Sequence, residues 1–175
     1  MRLLRRPGVA GTLVLLAFVA LVLLRPARES GRSGDDESRP GSQAALITRV
    51  VDGDTVEVRI GEVSEGVRYI GIDTPESVKP DSPVECFGRE AAVANRRLTE
   101  GRRARLVFDR ELRDSYGRLL AYVYVEGRLI SAVLVRRGLA RTLTIPPNDQ
   151  FAPLLARLER RAAVAGRGLW SACPT

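Results

Sequence analysis

Apolar positions along this chain fall into three regimes. Residues 9–24 carry no charge, with Arg2, Arg5 and Arg6 before them and Arg25 and Arg28 just after. A run without a polar face, flanked in this way, reads as an export segment over residues 1–28 rather than as a core helix. As a helix it would span roughly 24 Å at about 1.5 Å per residue, short of a roughly 30 Å hydrocarbon core, so cleavage and membrane anchoring both stay open. Residues 29–43 hold no large apolar side chain and cannot bury enough surface to offset the entropy of ordering, which makes them a linker. From residue 44 to residue 175 the apolar positions become periodic, and this is the folded domain.

Within that domain residues 45–51 predict a first strand. Val56, Val58 and Ile60 alternate with Glu57 and Arg59 behind an Asp52-Gly53 turn and predict a second, and residues 67–72 predict a third, with 61–66 as the turn between them. Residues 104–108 and 119–125 predict two more. Ala91, Ala92, Ala94 and Leu98 among charged neighbours predict a helix over 88–100, stopped by Gly101. Two further helices are expected over 130–137 and 154–165, the last with Leu154, Leu155, Leu158 and Ala162 on one face. No repeat of 20–50 residues is present. Five short strands, a helix after the third and helices at the end predict an α+β, mainly β fold, a five-stranded Greek-key barrel with three packed helices.

Charge and composition narrow the chemistry. The net charge is +7, but five arginines precede residue 29 with no acid among them and the linker is net acidic, so the domain carries +4. Lys79 is the sole lysine beside 27 arginines; such an excess fits compositional bias and by itself selects no polyanionic partner. Histidine is absent, which excludes a Ser-His-Asp triad, a histidine-liganded metal and a histidine general base. Two cysteines are too few for a structural zinc site. Any metal must be held by oxygen, which favours calcium or magnesium.

Two acidic clusters then stand out, Asp52-Gly53-Asp54-Thr55 and Asp73-Thr74-Pro75-Glu76, with Arg68 on the strand between them. A hairpin of the second and third strands brings both to one end of the sheet. Asp54 and Asp73 can offer carboxylate oxygens to a hard cation, with the backbone carbonyl of Thr74 and water completing its shell. Each cluster alone is also ordinary turn chemistry, since Asp bonds its own backbone and Gly and Pro set the bend. Glu76 can take a proton from a water attacking phosphorus, or be no more than an acid in a first turn. Arg68 and Arg118 offer planar donor forks to a phosphodiester; among 27 arginines only their place beside the acids selects them.

Val51-Asp52-Gly53-Asp54-Thr55, Arg68, Ile72-Asp73-Thr74-Pro75-Glu76, Gly88-Arg89-Glu90-Ala91, Asp114-Ser115-Tyr116-Gly117-Arg118 and Leu134-Val135-Arg136-Arg137-Gly138-Leu139-Ala140, in this order and spacing, resemble the thermonuclease family. The resemblance covers residues 45–171. It implies an oligonucleotide-binding-fold barrel with three helices and a calcium-dependent phosphodiesterase that cuts DNA and RNA and leaves 3′-phosphate ends. On the family pattern Asp54, Asp73 and the Thr74 carbonyl hold Ca2+, Asp52 lies in the outer shell, Glu76 is the base, Arg68 and Arg118 bind phosphate, and Tyr116 touches substrate. The chain departs from the pattern at Thr142-Leu143-Thr144-Ile145-Pro146-Pro147, where the family's type member has tyrosines against the nucleotide, so base preference is not carried over.

Cys86 and Cys173 are expected to pair in a disulfide, because the chain reads as exported and thiols oxidise there; two buried free thiols are the alternative. The partners expected are DNA and RNA, and a membrane if the N-terminal segment is retained, with the domain a monomer. Two other readings compete, a non-catalytic nucleic-acid-binding module and a membrane-tethered structural protein. The joint presence of Asp54, Asp73, Glu76, Arg68 and Arg118 argues against both.

Overall fold

The computed structural model describes residues 41–77 and 83–173. The export segment, the linker up to residue 40 and residues 78–82 of the loop beside the acidic clusters lie outside them. Among the described residues no helix is long and apolar enough to cross a membrane.

The elements, in order, are β1 (Ser42–Asp52), β2 (Thr55–Ile60), β3 (Val63–Tyr69), β4 (Gly71–Asp73), α1 (Gly88–Thr99), β5 (Arg103–Val107), β6 (Leu119–Val125), β7 (Arg128–Leu129), α2 (Ile130–Arg136), β8 (Arg141–Leu143), α3 (Ala152–Val164) and α4 (Leu169–Ala172). β1, β2, β3, β6 and β5 pair in a ring: the sheet runs β3-β2-β1-β5-β6 and closes where β3 meets β6 in parallel. This is the five-stranded, mainly β barrel expected of an oligonucleotide-binding fold, with a fourth, one-turn helix, α4, added near the C-terminus.

β1 makes closure possible. Its first half pairs with β5, from Ser42↔Val107 to Leu46↔Arg103, and its second half with β2, from Leu46↔Arg59 to Asp52↔Thr55. Two register irregularities, between Ile47 and Arg49 and between Val50 and Asp52, curl the strand so that one strand serves two neighbours. Ile47, Val56, Val58, Val67, Leu106, Ala121 and Val123 are fully buried in the barrel, and Ala91, Leu98, Ile130, Leu134 and Leu155 join the same core from the helices. Alternation predicted Val56 and Val58 among these inward positions because one face of a barrel strand meets the core.

Three local expectations need correction. Residues 63–66 are strand, not turn: β2 and β3 pair through Ile60↔Val63, leaving two residues between them. The third strand breaks at Ile70, whose N–H leaves the β2 ladder and donates to the Ala121 carbonyl at 3.1 Å, so β4 is separate and pairs with β8 instead. The sheet also begins at Ser42, two residues before the expected domain boundary.

Candidate active site

The turn between β1 and β2 is tight, and only a glycine fits at its centre. A Cβ on Gly53 would stand 2.5 Å from the Thr74 hydroxyl and 2.7–2.8 Å from its carbons. The two acidic clusters are thus in direct contact. Asp54 follows at once and is 1% exposed. One of its oxygens accepts the Thr74 N–H at 2.8 Å and the Thr74 hydroxyl at 3.1 Å, while the other accepts the Thr55 hydroxyl at 3.1 Å.

Arg68 arrives beside it through strand register, Thr55↔Arg68, reinforced by the Tyr69 N–H donating to the Asp54 carbonyl at 2.9 Å. Its guanidinium bridges the clusters: Nη1 lies 3.1 Å from Asp54 Oδ1 and Nη2 lies 2.7 Å from Asp73 Oδ1. Asp73 has a side chain 57% exposed, so the bridge runs from the buried rim of the barrel to solvent. Burial pushes the Asp54 carboxyl above the ordinary carboxylate range, against the pull of Arg68 and the Thr74 donors.

Asp52 and Glu76 form a second pair beside the first. Asp52 accepts the Gly53 N–H at 2.7 Å and the Ser77 hydroxyl. Burial raises its pKa, those two donors oppose the rise, and the neighbouring Glu76 carboxylate adds to it. Glu76 accepts the Ser77 N–H at 3.0 Å on Oε1, and its backbone is clamped by Glu85, through Glu76 N–H to Glu85 Oε2 at 3.1 Å and Glu85 N–H to the Glu76 carbonyl at 2.9 Å. The first helix presses on the same backbone, since a Cβ on Gly88 would stand 2.5 Å from the Glu76 carbonyl oxygen.

Arg118 lies directly before β6, its side chain against Gly66 of β3, and lines a cleft of about 390 Å³ together with Arg68, Tyr116, Leu120, Leu143 and Ile145. Its Nε and Nη2 both lie 2.7 Å from Asp114 Oδ2, and Asp114 Oδ1 accepts the N–H groups of Tyr116 and Arg118 at 2.9 and 3.0 Å. Tyr116 is 84% exposed, with the Arg118 guanidinium 5.3 Å from its ring centre. Arg113 ties the turn to β3 by a double contact with Glu65, at 2.8 and 3.0 Å, and by donating to the Gly117 carbonyl at 2.6 Å.

Every residue singled out in the sequence therefore lies at one rim or on its cleft, apart from the cysteines. Those are joined in a disulfide, Cys86 to Cys173, just before the helix that presses on Glu76. Three residues escaped sequence reading, Glu85, Glu65 and Asn95, as did the hold of Asp114, quoted in its motif, on Arg118. Asn95 is fully buried on α1, donates to the Asp52 carbonyl at 3.0 Å, and accepts the hydroxyls of Tyr69 at 3.0 Å and Thr99 at 3.2 Å. The signal in the sequence was a polar residue on the apolar stripe of Ala91 and Leu98.

An oxygen-only donor set suits a hard cation, and here Asp54 and Asp73 already turn oxygens to one positive group. Among the described residues no three acidic or sulfur side chains converge on one point, so a metal held by this pair would draw further oxygens from backbone and water.

Fold and site together define an oligonucleotide-binding-type barrel with a two-carboxylate, two-arginine centre at its rim. The chain belongs to the staphylococcal nuclease family, since its residues 66–172 match the family described as Staphylococcal nuclease homologue. It is 33% identical to a thermonuclease of Staphylococcus intermedius over 91% of this chain and 95% of that one. It is 32% identical to a thermonuclease of Staphylococcus hyicus over 92% and 96%, and 35% identical to endonuclease YncB of Bacillus subtilis over 80% and 68%.

Proposed function

We propose that this chain is an exported, calcium-dependent nuclease that hydrolyses phosphodiester bonds in DNA and RNA and leaves 3′-phosphate ends. The observation that carries the reading is the Arg68 guanidinium lying between Asp54 and Asp73 on the cleft that Arg118 also lines. The similarity to thermonucleases and an endonuclease supports nucleic acid as the substrate class.

Asp54, Asp73 and the Thr74 carbonyl would hold Ca2+, with Asp52 behind them, and the ion would supply positive charge to a phosphoryl oxygen. Asp54 and Asp73 then have less to offer Arg68, whose donors become available to an equatorial oxygen of the phosphate. Arg118, oriented by Asp114, supplies a second fork in the same cleft, and charge growing on phosphorus oxygens strengthens both contacts. Glu76 takes the proton of the attacking water; the Ser77 N–H on its Oε1 holds the carboxylate in place. Leu143 and Ile145, in place of aromatics, give the base an apolar wall rather than a stacking platform. The domain acts as a monomer, released from or anchored to the membrane by residues 1–28.

Digestion of single-stranded DNA by the full chain, with calcium or with excess chelator, tests the reading. Calcium-dependent cleavage whose products gain a free 3′ hydroxyl on phosphatase treatment is expected. Equal activity in chelator would remove the metal role, and no cleavage under any calcium concentration would leave a nucleic-acid-binding module.

A further inference from the structure

A second concave surface lies at the other end of the β2–β3 hairpin. It has a volume of about 450 Å³ and is lined by Leu46, Arg59, Arg103, Arg105, Tyr124 and Glu126 among others. Three strands contribute one row of it: Leu46 of β1 pairs with Arg59 of β2 on one side and with Arg103 of β5 on the other. Two exposed arginines are thus held about 10 Å apart across a single strand, about one Debye length at roughly 0.1 M salt. Among the described residues neither forms an ion pair. In the next row Arg105 pairs with Tyr124, its guanidinium 4.4 Å from the ring centre. The acid on this surface, Glu126, is already held by Arg102 at 2.6 Å and Arg128 at 2.8 Å, so it does not neutralise the cleft.

The ladder connects this cleft to the catalytic rim. Thr55 pairs with Arg68 and Arg59 lies four residues further along β2, roughly 13 Å at about 3.3 Å per residue. Between them, Glu57 and Gly66 are paired on the outward face, since Val56, Val58 and Val67 point into the core. Glu57 is covered by Arg49, whose Nε lies 3.0 Å from Oε2, so the path carries no open negative charge.

We propose that the Arg59–Arg103–Arg105 cleft is a second nucleic-acid contact, taking the phosphodiester backbone of a single strand whose reacting bond lies at Arg68 and Arg118. It rests on the nuclease reading and adds to it a length preference: substrates that reach both ends of the hairpin bind more tightly than those that fill the catalytic cleft alone. Arg59 and Arg103 grip phosphates, and Arg105 on Tyr124 presents a flat cationic face to a base.

The test measures binding of labelled oligothymidylates of about 16 and about three nucleotides to the full chain in chelator, where no cleavage intervenes. Arg59→Ala/Arg103→Ala is expected to weaken the long strand about tenfold and leave the short one unchanged. The slope of log affinity against log salt should become shallower by about 1.4, from two lost phosphate contacts at about 0.7 each. Arg59→Lys/Arg103→Lys should keep most of the affinity. Equal losses at both lengths, or no loss at the long one, would overturn the proposal. Turnover of the short strand with calcium, measured in parallel, separates the two readings. A parent that binds the long strand through these arginines yet never cleaves sinks the nuclease, while a cleaving enzyme indifferent to the double substitution sinks the second contact.

Discussion

The two arginines that face the cleft are held in opposite ways. Arg68 is fixed by the barrel itself, through cross-strand register, and both its known partners are the carboxylates a cation would need. Arg118 stands at the end of a turn and is held by Asp114, which belongs to that turn and to neither acidic cluster. On the proposed reading Arg68 and a divalent ion would compete for the same oxygens, whereas Arg118 and the ion would not. One arginine would then report on the metal and the other would be independent of it.

The largest effect should come from removing either. Arg68→Ala and Arg118→Ala should each lower kcat by at least about 10²- to 10³-fold, the loss typical of one donor aimed at transition-state charge. Their calcium affinities should separate. Arg68→Ala frees Asp54 and Asp73 from a competing cation and should bind calcium several-fold more tightly, while Arg118→Ala binds it like the parent. Calorimetric titration of both variants checks this; identical calcium affinities would mean that Arg68 and the ion use different oxygens.

Asp54→Asn removes one of the two carboxylates that Arg68 and a calcium ion would share. Activity should fall steeply and return in part at high calcium. Stability should move the other way in metal-free protein at neutral pH. Burial holds the Asp54 carboxyl above its unfolded value, so the fold binds that proton more tightly than the unfolded chain does. The associated stability is present below the unfolded value, near pH 4, and is lost as pH rises through the folded one. Urea midpoints in chelator should therefore favour the Asn variant over the parent at pH 7 and lose that advantage near pH 4. A constant difference across this window would show that the Asp54 proton is not linked to folding.

What could be read in the sequence follows the same division. Asp54, Arg68 and Asp73 were legible because a period-2 pattern sets the hairpin, and a hairpin with acids at one end fixes who meets whom. Arg118 was legible as a phosphate-binding candidate and through family resemblance, but not how it is held, since its partner Asp114 lies in a charged loop with no period to place it. β8 was missed because Arg141–Leu143 is too short to show alternation, and its order comes from pairing with β4 and from Glu159, which accepts the Thr142 N–H at 2.8 Å and hydroxyl at 2.6 Å. The 63–66 stretch misled for the opposite reason. Ser64, Glu65 and Gly66 have turn composition, yet they are held in β3 by a ladder to β2.

The disulfide should sharpen the contrast at intermediate size. It closes a span of 87 residues between Cys86, two positions before α1, and Cys173. In the chain-entropy view such a bridge contributes about 4 kcal/mol, so Cys86→Ser/Cys173→Ser should lower the urea midpoint clearly. The helix it anchors packs through Gly88 on the Glu76 backbone, whereas the Arg118 turn is braced by Glu65 and Arg113. Hydrogen exchange of the folded variant should thus rise around residues 85–90 and stay unchanged around residues 113–118. Uniform acceleration would mean that the bridge acts on the whole fold rather than on the acidic side.

The smallest effect belongs to Tyr116, at the outer edge of the arginine side. Its ring is 84% exposed and its centre lies 5.3 Å from the Arg118 guanidinium, too open a contact to fix the arginine, which Asp114 already holds at 2.7 Å through both nitrogens. Tyr116→Phe keeps the ring and should change neither kcat nor KM by more than about twofold. Tyr116→Ala removes an apolar wall of a cleft that, among the described residues, has no other aromatic side chain except Tyr69, which is buried and hydrogen-bonded to Asn95. KM should rise several-fold, in line with about 1 kcal/mol or more of stacking, while kcat stays near that of the parent because the arginine keeps its own anchor. A matching fall in kcat would show that Arg118 depends on Tyr116 for its aim, and the independence assigned to this side of the cleft would fail with it.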